Sequence, residues 1–225
     1  MFLDRRNWRG VAIALGLLAA ASAGAASAGV VYESATYTSL DTGDYILSNN
    51  DLIGASFTVA QTTHVTGIGA QFGDPFDPNP GTIFGAIVPL AALSAFPAGS
   101  SDDLASISLA DVVFSVPSGS QGDVVVPVSA TLAPGAYAVI FGAGQFGSDA
   151  DGFAAIGDDN NPVGSPTLIR SFFSTGWESF DDTGVRLDVQ GAVPEPATWG
   201  LMIAGFGGMG ALLRRKNRKA AISAA

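Results

Sequence analysis

Val124-Val125-Val126-Pro127-Val128-Ser129-Ala130-Thr131-Leu132 and Ala136-Tyr137-Ala138-Val139-Ile140-Phe141 are two β-prone runs separated by Ala133-Pro134-Gly135. Proline presets φ for a turn and glycine is free to take positive φ, so the punctuation predicts a hairpin. In the second run Tyr137, Val139 and Phe141 fall on one face of a strand. The same grammar continues outward. Val185, Leu187 and Val189 alternate with Arg186, Asp188 and Gln190, which predicts one buried face and one wet face. Further runs rich in Val, Ile, Phe and Thr predict strands over 30–38, 55–60, 65–72, 84–90, 112–116 and 168–174. Only Ser101–Leu109 suggests a short helix. Strands at such spacing imply an all-β fold, an antiparallel β-sandwich of jelly-roll or immunoglobulin-like type.

Charge divides the chain into parts. Between residues 29 and 193 only Arg170 and Arg186 face 18 acidic side chains, a net charge of −16. Such a domain repels polyphosphate, so nucleic acid is excluded as a partner. The 225 residues contain no cysteine, which rules out disulfides and thiol catalysis and leaves stability to the packed core. The 165 residues from 29 to 193 suffice for one domain of ordinary size.

The two ends read as transport signals. Arg5, Arg6 and Arg9 precede an apolar run from Val11 to Ala21, and Ala26-Ser27-Ala28 forms an A-x-A cleavage site. This is the layout of a secretory signal peptide over 1–28, with a second possible cut after Ala23. At the other end, Pro194-Glu195-Pro196-Ala197-Thr198-Trp199 runs into an apolar, glycine-rich stretch. From Ala197 to Leu213 no side chain is charged. As a helix the stretch would span roughly 25 Å, at the short end for crossing a bilayer. Trp199 stands where an interfacial aromatic belongs, and Arg214, Arg215, Lys216, Arg218 and Lys219 form a basic stop on the cytoplasmic side. The expected product is a precursor with its domain outside the inner membrane, held by one C-terminal transmembrane helix.

These residues carry a resemblance. The tail resembles the PEP-CTERM sorting signal of Gram-negative bacteria, in its PEPxxWA variant. Pro194, Glu195, Pro196 and Trp199 match the motif; Gly200 stands where alanine is usual. The basic run matches the family's tail. The resemblance implies recognition by an exosortase, a membrane protease that cuts near Pro194-Glu195-Pro196, and export linked to exopolysaccharide production. The segment from Leu132-Ala133-Pro134-Gly135-Ala136-Tyr137 onward, about one hairpin, also resembles small sandwich domains attached to such tails. The organisation expected is a signal peptide (1–28), a β-sandwich ectodomain (29–191), the sorting signal (192–219) and a short tail (220–225).

Few residues invite chemistry. Gly142-Ala143-Gly144-Gln145-Phe146-Gly147 spells G-x-G-x-x-G, but acidic, turn-forming residues follow where a dinucleotide site needs a helix, so it reads as a loop. His64 is the only histidine, which excludes a histidine-based triad and a multi-histidine zinc site. No G-x-S-x-G elbow occurs. Asp149, Asp151, Asp158 and Asp159 crowd one loop region and offer hard oxygens to calcium, although aspartates also cap turns. Asp74, Asp77 and Asn79 form a second oxygen-rich loop, and no acid pair stands out as a glycosidase pair. Trp177, near Phe172, Phe173 and Phe180, suits either a sugar contact or a sandwich core. The sequence points to a non-catalytic surface or matrix protein without a required cofactor. A calcium- or carbohydrate-binding adhesin module is the alternative, and a glycan-processing enzyme the least supported reading.

Overall fold

The structure, a computed structural model, describes residues 28–36, 45–47, 51–74, 81–98, 103–149, 154–156, 161–163, 167–170, 176–180, 184–192 and 205–206. The chain divides into two compact units, one of them Ala28–Val193 and the other the two chain ends. All regular structure described in the first unit is β, apart from one 3-10 turn at Leu104–Ser106, where the short helix was expected.

The strands are β1 (Ala28–Glu33), β2 (Ala35–Thr36), β3 (Tyr45–Leu47), β4 (Leu52–Val59), β5 (Thr63–Asp74), β6 (Thr82–Leu90) and β7 (Ala110–Ser115). They continue with β8 (Gly119–Leu132), β9 (Gly135–Gly142), β10 (Ala154–Ile156), β11 (Asn161–Pro162), β12 (Thr167–Arg170), β13 (Glu178–Phe180) and β14 (Leu187–Ala192). In the first six-stranded sheet β5 is central. It pairs with β8 along one edge, and along the other with β14 and then β10, beyond which lie β1 and β3. The second runs β13-β12-β4-β9-β6-β7, and among the described residues β11 pairs only with β2. Every described pairing is antiparallel.

The two large sheets face each other across one apolar core. Val65, Ile68, Phe72 and Leu187 from the first meet Phe57, Ile83, Val139 and Phe141 from the second. Rings order the layer: Tyr32 stacks on Phe57 at 5.2 Å, and Phe72 meets Phe141 edge-on at 5.0 Å. Gly85 makes the close approach possible, since a Cβ there would lie 2.7 Å from Ile68 Cδ1 and from Phe141 Cε1.

Leu187 and Val189 lie in the core as the alternation requires, but Asp188 on the opposite face is buried too and Arg186 and Gln190 are half-buried, so the expected wet face is partly closed. The second sheet departs from the one-wet-face expectation. β4, β6 and β9 are buried almost throughout, because a second core covers their other side. Leu52, Phe84, Ile140 and Leu168 lie beneath Leu104, Ile107, Phe146 and Trp177, supplied by connecting segments. Gln145 Oε1 accepts from the Leu104 backbone at 3.0 Å and fixes two of these segments together.

The Ala133-Pro134-Gly135 turn is not a hairpin. β8 belongs to the first sheet and β9 to the second, so the turn arches across the core. The Tyr137 hydroxyl donates to Ala133 O at 2.8 Å and pins the arch, a bond of the type that secures corners in antiparallel sandwiches. Pro127 lies on β8, which among the described residues pairs only with β5, and an outer strand tolerates a residue that cannot donate.

Candidate functional site

The acidic loops come first. Asp149 is exposed, and its backbone N–H donates to Thr82 Oγ1 at 2.9 Å. It follows the glycine-rich segment, which forms turns: Gly144, Phe146 and Gly147 all have positive φ, and Ser148 donates twice to Gln145 O. Asp151, Asp158 and Asp159 lie outside the described residues, as do Asp77 and Asn79. Among the described residues no group of three His, Asp or Glu side chains is placed to hold a metal ion.

Trp177 is half-buried and packs on the second core. Its indole N–H is buried with no acceptor among the described residues. Phe180, three residues on, is exposed, while Phe172 and Phe173 are outside the described residues. At the same end of the sheets, burial pushes the Tyr45 phenol far above its ordinary value, and the nearby charges of Asp51 and Glu178 push it further. His64 is exposed, with Nδ1 3.4 Å from Thr131 Oγ1.

A charge cluster that the sequence did not announce occupies the outer face of the first sheet. Arg186 donates through Nε to Glu33 on β1 and through a terminal nitrogen to Asp123 on β8, the latter at 2.7 Å. Asp188 on β14 is only 3% exposed, with Gln190 Nε2 donating to it at 3.2 Å. Burial raises the Asp188 carboxyl above the ordinary range; Gln190 and Arg186 oppose the shift, and Asp123 and Glu33 add to it. Burial works against the Arg186 charge, but the Glu33 hydrogen bond and the surrounding carboxylates outweigh it. Gly69, paired with Asp188, leaves room for the carboxylate, since a Cβ there would lie 2.6 Å from Asp188 Oδ1. Positions 33, 123, 186 and 188 share no motif. Only the lone arginine of the strand pattern hinted at them.

The signal residues sit at the margins of this domain. Ala28 opens β1 and Ala192 closes β14, one residue beyond the expected limits at each end, and the two are paired. Ala26 lies outside the described residues, and so do Pro194, Glu195, Pro196, Trp199 and the basic residues Arg214, Arg215, Lys216, Arg218 and Lys219. Beyond Ala192 only Gly205 and Phe206 are described, and both are exposed. Among the described residues no helix is long and apolar enough to cross a membrane; the expected span lies largely outside them.

The fold and the tail together define an all-β protein that ends in a sorting signal. Residues 192–218 match the family model of the PEP-CTERM protein-sorting motif, so the tail is a PEP-CTERM signal. No curated protein matches the chain.

Proposed function

We propose that this is a non-catalytic exported protein of the cell surface or extracellular matrix. It enters the export route through its N-terminal signal, is held in the inner membrane as a precursor, and is sorted by an exosortase through Pro194-Glu195-Pro196. It is then displayed or released among exopolysaccharide. The observation that carries this reading is the sorting-motif match over 192–218, which starts at the last residue of β14. The two facing sheets suit a rigid sandwich module, of jelly-roll or immunoglobulin-like type, that survives outside the cell without disulfides. A single histidine and the absence of cysteine exclude a histidine-pair metal site and thiol catalysis, and no pair of carboxylates stands out in the sequence as an acid–base pair.

Replacing Pro194, Glu195 and Pro196 by alanine tests the reading. The triple variant should lose its signal peptide normally and accumulate as an unprocessed, membrane-held form. Processing and localisation indistinguishable from the parent would overturn it.

An adhesin that binds carbohydrate is the second reading, resting on the half-buried Trp177 ring and the exposed Phe180 three residues on. Trp177→Phe keeps an aromatic in the core contact and shrinks the ring face left at the surface. If the protein binds matrix polysaccharide through this residue, the variant should fold normally and bind less.

A further inference from the structure

The register of the sheets places several of the described acidic residues toward one end of the domain. At one end lie the arch 60–62 between β4 and β5, the arch Ala133–Gly135, the exit from β6 at Ala91, and the paired residues Ala28 and Ala192. At the other end Asp51 precedes β4, Asp74 closes β5, Asp149 bonds the start of β6, and Glu178 opens β13. No acid occurs from Leu52 to Gly73, from Pro78 to Ser101 or from Val124 to Ser148, so among the described residues the two arches at the first end and the start of the segment leaving β6 carry none. Leu93 and Phe96, in the segment leaving β6, are 39% and 44% exposed and Val30 on β1 is 53% exposed, while Ile46 and Phe180 are similarly exposed toward the other end.

This is also the end at which the chain leaves for the uncharged stretch. Ala192 and Ala197 are five residues apart, a reach of at most about 18 Å when fully extended. We propose that this acid-free end of the domain rests on the lipid bilayer in the membrane-held precursor, with the acidic end directed outward. The inference rests on the anchored precursor proposed above. Electrostatics favour this orientation over its reverse. From Gly135 to Gly142 the second sheet rises roughly 24 Å, about three Debye lengths at physiological ionic strength. In the proposed orientation Asp51, Asp74 and Asp149 are therefore screened from anionic headgroups. In the reverse they would be held against them. Exposed Leu93 and Phe96 match the interfacial region, and Gln61 and Thr62 offer hydrogen bonds to headgroups.

The chain lacks cysteine, so a single introduced cysteine labels one position. Full-length Gln61→Cys, Ser94→Cys and Ser118→Cys variants, each carrying an environment-sensitive fluorophore, are reconstituted in vesicles of phosphatidylcholine and phosphatidylglycerol. A fraction of the lipid carries a headgroup quencher. Vesicle flotation first shows whether the full chain is anchored; chains that do not float overturn the anchored precursor itself. In floating samples, labels at 61 and 94 should be quenched several-fold more than the label at 118, and the gap should widen with the anionic lipid fraction. Adding Leu93→Glu and Phe96→Glu should narrow it. Equal quenching at both ends, or stronger quenching at 118, overturns the orientation while leaving the anchor intact. Quenching at 94 that needs no quencher lipid and grows with protein density would assign this end to a second copy of the chain, and would equally overturn it.

Discussion

Arg186 donates through Nε to the carboxylate of Glu33, tying the approach to the last strand to the end of the first. The same guanidinium reaches Asp123, so one cation bridges β1 and β8 and acts on a third carboxylate, Asp188. Its side chain is largely buried, and a charge so placed is tolerated because opposite charges surround it.

Asp188 makes this cluster sensitive to pH. Burial raises its carboxyl in the folded protein. The folded state therefore keeps its proton at a pH where the unfolded chain has lost it. The stability this contributes is complete below the ordinary aspartate value of about 3.9 and is lost as pH rises through the raised value. Asp188→Asn should melt a few degrees higher than the parent at neutral pH and show a flatter stability profile across the acid range. A variant that melts lower at neutral pH would mean the ionised carboxylate is a net asset to the Arg186 cluster.

Tyr137→Phe should cost about 1 kcal/mol, a fall of about 2 to 4 °C for a domain of this size, because it removes the bond to Ala133 O that pins the arch. Tyr45→Phe is the contrast. The Tyr45 hydroxyl is buried with no partner among the described residues, so its removal should be neutral or stabilising. Thermal melts of the two variants side by side separate a bonded hydroxyl from a merely buried one.

Gly85→Ala places a methyl group against Ile68 and Phe141, each 2.7 Å from its ideal position. Those atoms belong to opposite sheets, so the strain falls on the packing between them. The expected loss is about 1 to 3 kcal/mol, read from chemical denaturation. Wild-type stability in this variant would show that the two sheets part at little cost.

Calcium should stabilise the protein if Asp149, Asp151, Asp158 and Asp159 converge on one ion. A tenfold excess over the dissociation constant would add about 1.4 kcal/mol. The control is magnesium at matched ionic strength, since general screening acts on any domain carrying this much negative charge. The Asp158→Ala, Asp159→Ala variant should lose the calcium-specific part. Equal stabilisation by both ions, unchanged in that variant, would reduce the acids to a solvated surface.

What the sequence disclosed depends on the range of the interaction involved. The strand around Val189 was legible because alternation is a local consequence of one buried face. The central strands β4, β6 and β9 were placed nearly in register, yet their burial on both faces was not foreseen. It depends on Leu104, Phe146 and Trp177 arriving from connections that carry no strand signal. β3, β10, β11 and β13, two or three residues each, are defined by their partners more than by their own residues. The Pro134-Gly135 turn was visible, but turn chemistry does not say whether the next strand folds back on the same sheet or crosses to the other. Residues 194–199 were read directly because a sorting signal is a linear motif. The Arg186 cluster joins positions more than 150 residues apart and leaves no such trace.

The pairing of β1 with β14 also constrains the order in which the chain can fold. Among the described residues β1 has no other neighbour in its sheet. A polypeptide that emerges amino end first has its opening strand available long before the closing one arrives. Closing this domain therefore requires contacts spanning nearly its whole length, the topology associated with slow folding. The delay keeps the chain open while it is threaded across a membrane, and it exposes an unpaired strand to other chains until Ala192 has emerged. Only then can the first residue of the domain meet the last.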